Sequence, residues 1–154
     1  MISAEVTSIA SGQLKIAEGE IVGMLQEHTI EIRVRYSETD AMGFLHHANF
    51  FKYFEMGRIE LLRAQGGSYK EMEAAGIFLV VARIGCQYHS PAFYDDVLTL
   101  RTIVTQVSMC KIEHEYQLLR GDVKIATGTS TLACLDREGR IQRLPEEVTG
   151  KAAS

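Results

Sequence analysis

The chain has 154 residues, of which 46% are hydrophobic and 23% are charged, and its formal net charge is −4. These are ordinary values for a globular protein, and the length favours one domain around a single sizeable core. The acidic balance and the lack of a basic patch argue against nucleic acid as a partner. We also expect no membrane span, because the sequence contains no run of about 18 apolar residues.

The cysteines and the N-terminal residues indicate the cellular compartment in which we expect the protein. Cys86, Cys110 and Cys134 are far apart in the sequence, lie in strand-like segments and form no CxxC pair. Such an odd, scattered set is typical of reduced thiols. We expect them to be buried and structural, as free cysteines commonly are, with a nucleophilic cysteine as the alternative. The first 25 residues lack the apolar core of a signal peptide, so we expect a cytoplasmic protein.

Three regions follow one another along the chain. Residues 1–26 mix Ser, Ala, Gly and Glu without sustained periodicity and form a poorly specified extension, in which an added strand is one interpretation. Residues 27–148 carry the periodic elements of one domain, and residues 149–154 form a polar tail. The domain opens with "TIEIRVRY", residues 29–36. Apolar positions there alternate with charged ones and predict the inward face of a half-buried strand: Ile30, Ile32, Val34 and Tyr36.

A long helix without proline is predicted from Asn49 to Gln65. Its apolar residues fall on one stripe and around much of the remaining surface, which is typical of a helix buried on more than one side. Gly57 in its middle costs about 1 kcal/mol relative to Ala, so we expect another backbone to pack closely there. The pair Gly66-Gly67 ends the helix.

A short helix and a series of strands follow. The helix opens with Ser68 and Glu71 at capping-box spacing and stops at Gly76. The later pattern predicts four antiparallel strands joined by short turns. A sheet of this kind has one face to cover, and only the long apolar helix can cover it. The predicted strands are residues 77–89, 97–104, 112–118 and 123–135.

The segment "YSETDAMGFLHHANFFKYFEMGRIELLR", residues 36–63, resembles acyl-CoA thioesterases of the 4-hydroxybenzoyl-CoA thioesterase and YbgC type. The later segments "GIFLVV" and "SPAFYDDVLTLRT" also match, and the resemblance covers about residues 28–146. It implies an α+β hotdog fold, in which a curved antiparallel sheet wraps around a long central helix. His46 departs from the more usual aromatic or apolar residue, and the N-terminal extension has no counterpart. The matching positions are Tyr36, Thr39, Asp40, Gly43, His47, Asn49, Phe50, Glu55, Arg58 and Glu60.

Thioester chemistry explains why this loop carries these residues. The leaving thiolate belongs to a thiol with a pKa of about 8.5, so a strong general acid is dispensable. A carboxylate is needed as general base or as nucleophile. Donors are needed for the oxyanion, and free N–H groups at a helix start provide them. Asp40 is the acid, and the N–H groups around His47 to Asn49 are the donors.

The resemblance assigns roles to these positions. It makes Asp40 the catalytic carboxylate and implies that the backbone N–H of His47, with that of Ala48, polarises the thioester carbonyl. The His47 imidazole would then hold water or orient Asp40. Gly43 lets the loop bend, and Asn49 caps the helix. The residues assigned to substrate binding are Gly43, Asn49, Phe50 and Glu55.

Structural interpretations stand beside these roles. Asp40 could serve only as a turn or cap residue, and His47 only as a structural histidine. The charged residues of the helix are most simply surface ion pairs at i,i+3 spacing: Glu55, Arg58, Glu60 and Arg63. The other histidines are most simply structural: His46, His89 and His114.

Other classes of protein fit less well. No serine lies in a GxSxG elbow, and the Asn-Pro expected of a hotdog-fold dehydratase or hydratase is missing from "DAMGFLHH". Asp40, His46 and His47 lack a fourth metal ligand, so no metal is expected. The remaining alternative is a non-catalytic acyl-thioester binding protein, in which the carboxylate would have no purpose.

The resemblance also implies partners. The substrate is an aryl or alkyl thioester of coenzyme A or of an acyl-carrier protein, and the sequence does not choose between them. Coenzyme A is part of the substrate, and no other cofactor is expected. A lone sheet around one helix leaves edges exposed, and sheets of the resembling family join edge to edge. We therefore expect a homodimer or a homotetramer.

Coenzyme A must be bound without a dedicated phosphate loop, because neither GxxxxGK[ST] nor GxGxxG occurs. Scattered surface Lys and Arg side chains must then meet the phosphates. We predict that the KM for acyl-CoA rises with added salt, since exposed ion pairs are screened. A KM that is unchanged between low and moderate ionic strength would contradict this prediction.

Overall fold

The computed structural model describes residues 26–149. Predictions for the N-terminal extension, including the added strand, lie outside the described residues. None of the described helices is long and apolar enough to cross a membrane. The elements are β1 (Glu27–Arg33), a 3-10 turn (Tyr36–Glu38), α1 (Asn49–Ala64), α2 (Tyr69–Ala74), β2 (Phe78–Tyr88), β3 (Val97–Val107), β4 (Lys111–Arg120), β5 (Val123–Leu135) and α3 (Glu146–Thr149).

The five strands form one antiparallel sheet in the order β1-β3-β4-β5-β2. α1 packs across one face of the sheet and contacts β1, β3 and β2. The predicted α+β architecture, with one long helix covering an antiparallel sheet, is confirmed. The start of α1 at Asn49 and the whole of β5 also agree with the prediction.

Two glycines let α1 approach the sheet closely. A Cβ on Gly57 would collide with the Thr102 side chain of β3. Gly128 of β5 lies under the Phe54 ring, which leaves no room for a Cβ there either. The close neighbours of Gly57 are therefore side chains of the sheet, and the expectation of a second backbone was wrong.

The prediction that α1 is buried on more than one side is confirmed in part. Phe50, Phe54 and Leu61 are buried in the core, and Tyr53 and Leu62 are buried on opposite flanks of the helix. Phe51 and Met56, in contrast, are exposed. The described part of the chain forms one sheet, so the surface of α1 that faces away from this sheet is exposed. The exposed surface of α1 is mixed, because Lys52, Glu55 and Arg63 lie on it together with Met56.

The first strand ends earlier than the alternation predicts. Ile32 and Val34 are buried as expected, but the side chain of Tyr36 is 78% exposed. The backbone N–H of Arg35 donates to the carboxylate of Glu38 at 2.8 Å, which turns the chain away from the sheet. Tyr36 then lies in the 3-10 turn and packs edge-on against Tyr94.

Several local predictions agree with the structure. Ser68 caps α2 by accepting the N–H of Glu71 at 3.3 Å. Cys134 is buried, and Cys86 and Cys110 are half-buried. Cys110 lies in the turn between β3 and β4 and not in a strand. Burial raises the pKa of the Cys86 and Cys134 thiols, which disfavours the thiolate and a nucleophilic role for either.

Candidate active site

A small hairpin between the 3-10 turn and α1 carries the predicted catalytic loop. The carbonyl of Glu38 accepts the N–H of His46 at 2.9 Å, and the N–H of Asp40 donates to the carbonyl of Phe44 at 2.8 Å. Gly43 has a positive φ of 83° at the tip, where an L side chain would be strained. Asp40 is two residues from Glu38 and thus lies about 7 Å along the hairpin from the Glu38–His46 hydrogen bond, after which the chain leads into α1.

The two oxygens of the Asp40 carboxylate differ in their hydrogen bonding. Oδ1 accepts the backbone N–H groups of Met42 at 2.9 Å and Phe44 at 3.1 Å. Oδ2 has no hydrogen-bond partner among residues 26–149. Asp40 is therefore a turn residue through one oxygen, while the other oxygen is available to water or substrate.

A second loop has the same local geometry. After β5, Asp136 Oδ1 accepts the N–H groups of Glu138 and Arg140, both at 2.9 Å. Its backbone also pairs with Arg140 and Gly139, as the backbone of Asp40 pairs with Phe44 and Gly43. The turn alone therefore carries no functional information. What distinguishes Asp40 from Asp136 is its position shortly before a long helix.

Glu38 anchors the base of the hairpin, and sequence reasoning missed it. The residue is 7% exposed, and its carboxylate accepts the Arg35 N–H at 2.8 Å, the Tyr53 hydroxyl at 2.9 Å and the Arg35 guanidinium at 3.2 Å. Burial opposes ionisation, but these hydrogen bonds outweigh it and hold the pKa of Glu38 below its ordinary 4.5. The available signal was the i,i+3 spacing of two opposite charges, Arg35 and Glu38.

The start of α1 is stabilised by His46 and not by Asn49. Ala48 occupies the cap position without a side-chain hydrogen bond, so the predicted capping role of Asn49 is wrong. The Asn49 side chain instead donates to the Glu38 carbonyl at 2.8 Å. His46 supplies two acceptors, its carbonyl for the Asn49 N–H at 3.0 Å and its Nδ1 for the Ala48 N–H at 3.1 Å. The N–H of His47 has no acceptor among the described residues.

The His47 side chain is exposed at the mouth of the site. Its ring stacks on that of His46 with 4.1 Å between the centroids. Its carbonyl accepts the hydroxyl of Tyr88 at 3.0 Å, and the Tyr88 ring packs edge-on against Phe50. The end of β2 therefore holds the loop that carries His47.

The structure brings only some of the predicted substrate-binding residues to this loop. Gly43 and Asn49 belong to the hairpin and the helix start. Phe50 is buried in the core, and its ring contacts the ring of Tyr88 edge-on. Glu55 is exposed on α1, six residues after Asn49 and about 9 Å further along the helix axis.

One interpretation of the helix charges is wrong. Glu60 and Arg63 form the expected surface ion pair. Arg58, in contrast, is only 6% exposed, and its guanidinium donates to the Tyr116 hydroxyl at 3.1 Å. His114 is buried as expected for a structural histidine. Within residues 26–149, no three His, Cys, Asp or Glu side chains are arranged to hold a metal ion.

The sheet, the helix and the hairpin at its start define a class of protein, and comparison with known proteins gives the family. The model of the Thioesterase-like superfamily matches residues 34–151. The acyl-CoA thioesterase YbgC of Haemophilus influenzae is 32% identical over 106 residues, which are 68% of this chain and 78% of the relative.

Solved structures agree. The crystal structure of a hypothetical protein from Aquifex aeolicus matches with a TM-score of 0.75 at 33% identity, over 79% of this chain and 95% of that one. A DHNA-CoA thioesterase from Staphylococcus aureus matches with a TM-score of 0.72 at 28% identity, over 79% and 81% of the two chains. The chain belongs to the Thioesterase-like superfamily, has the hotdog fold and is a thioester hydrolase.

We predict that Glu38→Gln destabilises the fold by about 1–3 kcal/mol at neutral pH, because the buried donors lose a charged acceptor. Since the pKa of Glu38 is lowered in the folded state, its contribution is present above 4.5 and is lost as the pH falls below that value. Thermal unfolding between about pH 7 and pH 3 should therefore show a shallower acid decline in Glu38→Gln than in the parent.

Glu31→Gln, at an exposed position of β1, is the matched control and should leave the profile unchanged. Parent and Glu38→Gln curves of the same height and shape would contradict the anchoring role.

Proposed function

We propose that Asp40 acts as general base or nucleophile in the hydrolysis of acyl-CoA thioesters. The observation that carries the proposal is the asymmetric carboxylate, with Oδ1 fixed by two N–H groups and Oδ2 without a partner. Fixing one oxygen orients the other without occupying it. A water molecule or the thioester carbonyl can then meet Oδ2 without prior loss of a protein hydrogen bond.

The backbone N–H of His47 is the proposed oxyanion donor. It precedes a helix of 16 residues, whose N-terminal end favours developing negative charge. Ala48 is proposed as the second donor, but its N–H is engaged by His46 Nδ1 at 3.1 Å. The His46 ring must release this N–H when the oxyanion forms, which gives His46 a positioning role in the proposal.

Asp40→Asn is expected to lower kcat by about 10²–10⁴-fold with little change in KM, because the amide cannot accept a proton or attack. The assay is release of free thiol from a panel of acyl-CoA and aryl-CoA esters. His47→Ala should lose less activity, since the proposed donor there is backbone and survives the substitution.

Asp136→Asn is the matched control, because it makes the same change in a turn of the same geometry away from α1. It should retain the parent kcat. A folded Asp40→Asn protein within about threefold of the parent would contradict the mechanism. If neither protein hydrolysed any thioester of the panel, the non-catalytic acyl-thioester binder would be favoured.

The two edges of the sheet suggest how the molecule assembles. β1 carries Glu27, Glu31 and Arg33, which oppose strand addition. β2 is 11 residues long with one charged residue, Arg83, and its outer edge pairs with no other described strand. We propose that two chains join along β2.

Val80→Lys in β2 is expected to weaken this dimer by at least about tenfold, because an edge lysine opposes strand pairing. Sedimentation velocity measures the change. Val97→Lys in β3 is the matched control, since Val80 and Val97 are 38% and 39% exposed. A parent protein that sediments as a stable, active monomer would contradict the proposal.

A further inference from the structure

A buried arginine lies in the core without a counter-ion. Arg58 is 6% exposed, and no carboxylate of residues 26–149 lies within ion-pair distance of it. Its guanidinium donates to the Tyr116 hydroxyl at 3.1 Å, and that hydroxyl shares a 2.5 Å hydrogen bond with Ser130. Burying a charge that has only neutral partners costs free energy of desolvation. We therefore expect a negatively charged group from outside the described residues to compensate the charge of Arg58.

A cleft opens beside this arginine. It has a volume of about 220 Å³ and lies between α1, α2, β2 and β5, with Arg58, Tyr69 and Leu79 among its walls. A smaller cavity of about 20 Å³ adjoins it and shares these three residues. The arginine therefore lines space that a ligand can enter.

The groups around Arg58 are neutral and include further donors. Burial, and secondly the Arg58 charge, lower the pKa of His114 to about 3, so its ring is uncharged at neutral pH. Its Nδ1 is buried and has no partner. Burial raises the pKa of Tyr69 to about 12, so its hydroxyl keeps its proton. Two donors, a guanidinium and a phenol, thus face a cleft that lacks a buried acid.

Glu55 and Glu73 also line this cleft, and both are exposed. Solvent weakens the effect of exposed charges, so these two carboxylates offset the charge of the buried guanidinium only in part. Their repulsion grows with the charge of the ligand, which disfavours a doubly charged phosphate relative to a singly charged group. A carboxylate also fits the planar fork of arginine with two parallel hydrogen bonds.

We propose that this cleft is a carboxylate-binding subsite with Arg58 as its recognition residue. Arg58 lies ten residues after Ala48, so it is about 15 Å along the helix from the nearer of the two proposed oxyanion donors. The carboxylate is either the far end of a dicarboxylic acyl group or a free small acid. The first source rests on the proposed thioesterase function, and the second does not.

The first experiment compares hydrolysis of thioesters matched in length: adipyl-, suberyl- and sebacyl-CoA against hexanoyl-, octanoyl- and decanoyl-CoA. For the length that reaches the subsite, the parent is expected to favour the carboxylated ester by at least about tenfold in kcat/KM. Arg58→Met should lose this preference while it hydrolyses the plain esters as the parent does. Arg58→Lys should keep part of it.

The second experiment requires no turnover. Adipate and hexanoate are added to the parent and to Arg58→Met, and the thermal midpoint is measured. Either acid should raise the midpoint of the parent alone. Arg63→Met, which removes an exposed arginine of the same helix, should behave as the parent in both experiments.

The outcomes distinguish the two sources of the carboxylate, and they distinguish failure of the subsite from failure of the proposed thioesterase function. Stabilisation by free acids without a preference among esters assigns the subsite to a free carboxylate. A parent without either effect overturns the proposal, whether or not it hydrolyses plain acyl-CoA. If the parent shows neither effect and Arg58→Met unfolds or changes its sedimentation, the charge is neutralised inside the assembly, and the proposal is equally overturned.

Discussion

The geometry of the loop depends on one buried carboxylate. Glu38 accepts hydrogen bonds from Arg35 at the end of β1 and from Tyr53 in α1, while its carbonyl binds His46 and the Asn49 side chain. A buried acid must have its acceptors satisfied. These contacts exist together only when the strand end, the hairpin and the helix start converge. The position of Asp40, two residues further along, follows from that convergence.

Asp40 and Asp136 show why local structure does not identify a catalytic residue. Both clamp a turn with the same pattern of hydrogen bonds. One turn leads into the 16-residue helix α1, and the other only reverses the chain after β5. The chemistry proposed for Asp40 therefore depends on the helix dipole and on the N–H of His47, which has no acceptor in the described part of the chain, and not on the conformation of the loop.

The sequence patterns predicted those features that depend on interactions between residues close together in the chain. The periodicity located α1 and β5 closely, and the Ser68 cap was recognisable from spacing. Tyr36 followed the strand alternation but is exposed, because Glu38 redirects the chain through a tertiary hydrogen bond. Arg58 resembled a surface residue of an i,i+3 pair but is buried, since its environment is formed by β4 and β5, distant in sequence. Contacts of this kind leave no local pattern.

The contrast between the two sheet edges limits growth of any assembly. In the proposed dimer, β2 pairs with its own copy around a two-fold axis and uses one edge of each sheet, so the edges that remain among the described strands are the two β1 strands. Their charges, from Glu27, Glu31 and Arg33, make them poor templates for another strand. Among the described strands, the proposed dimer therefore presents no edge that favours the addition of a further strand.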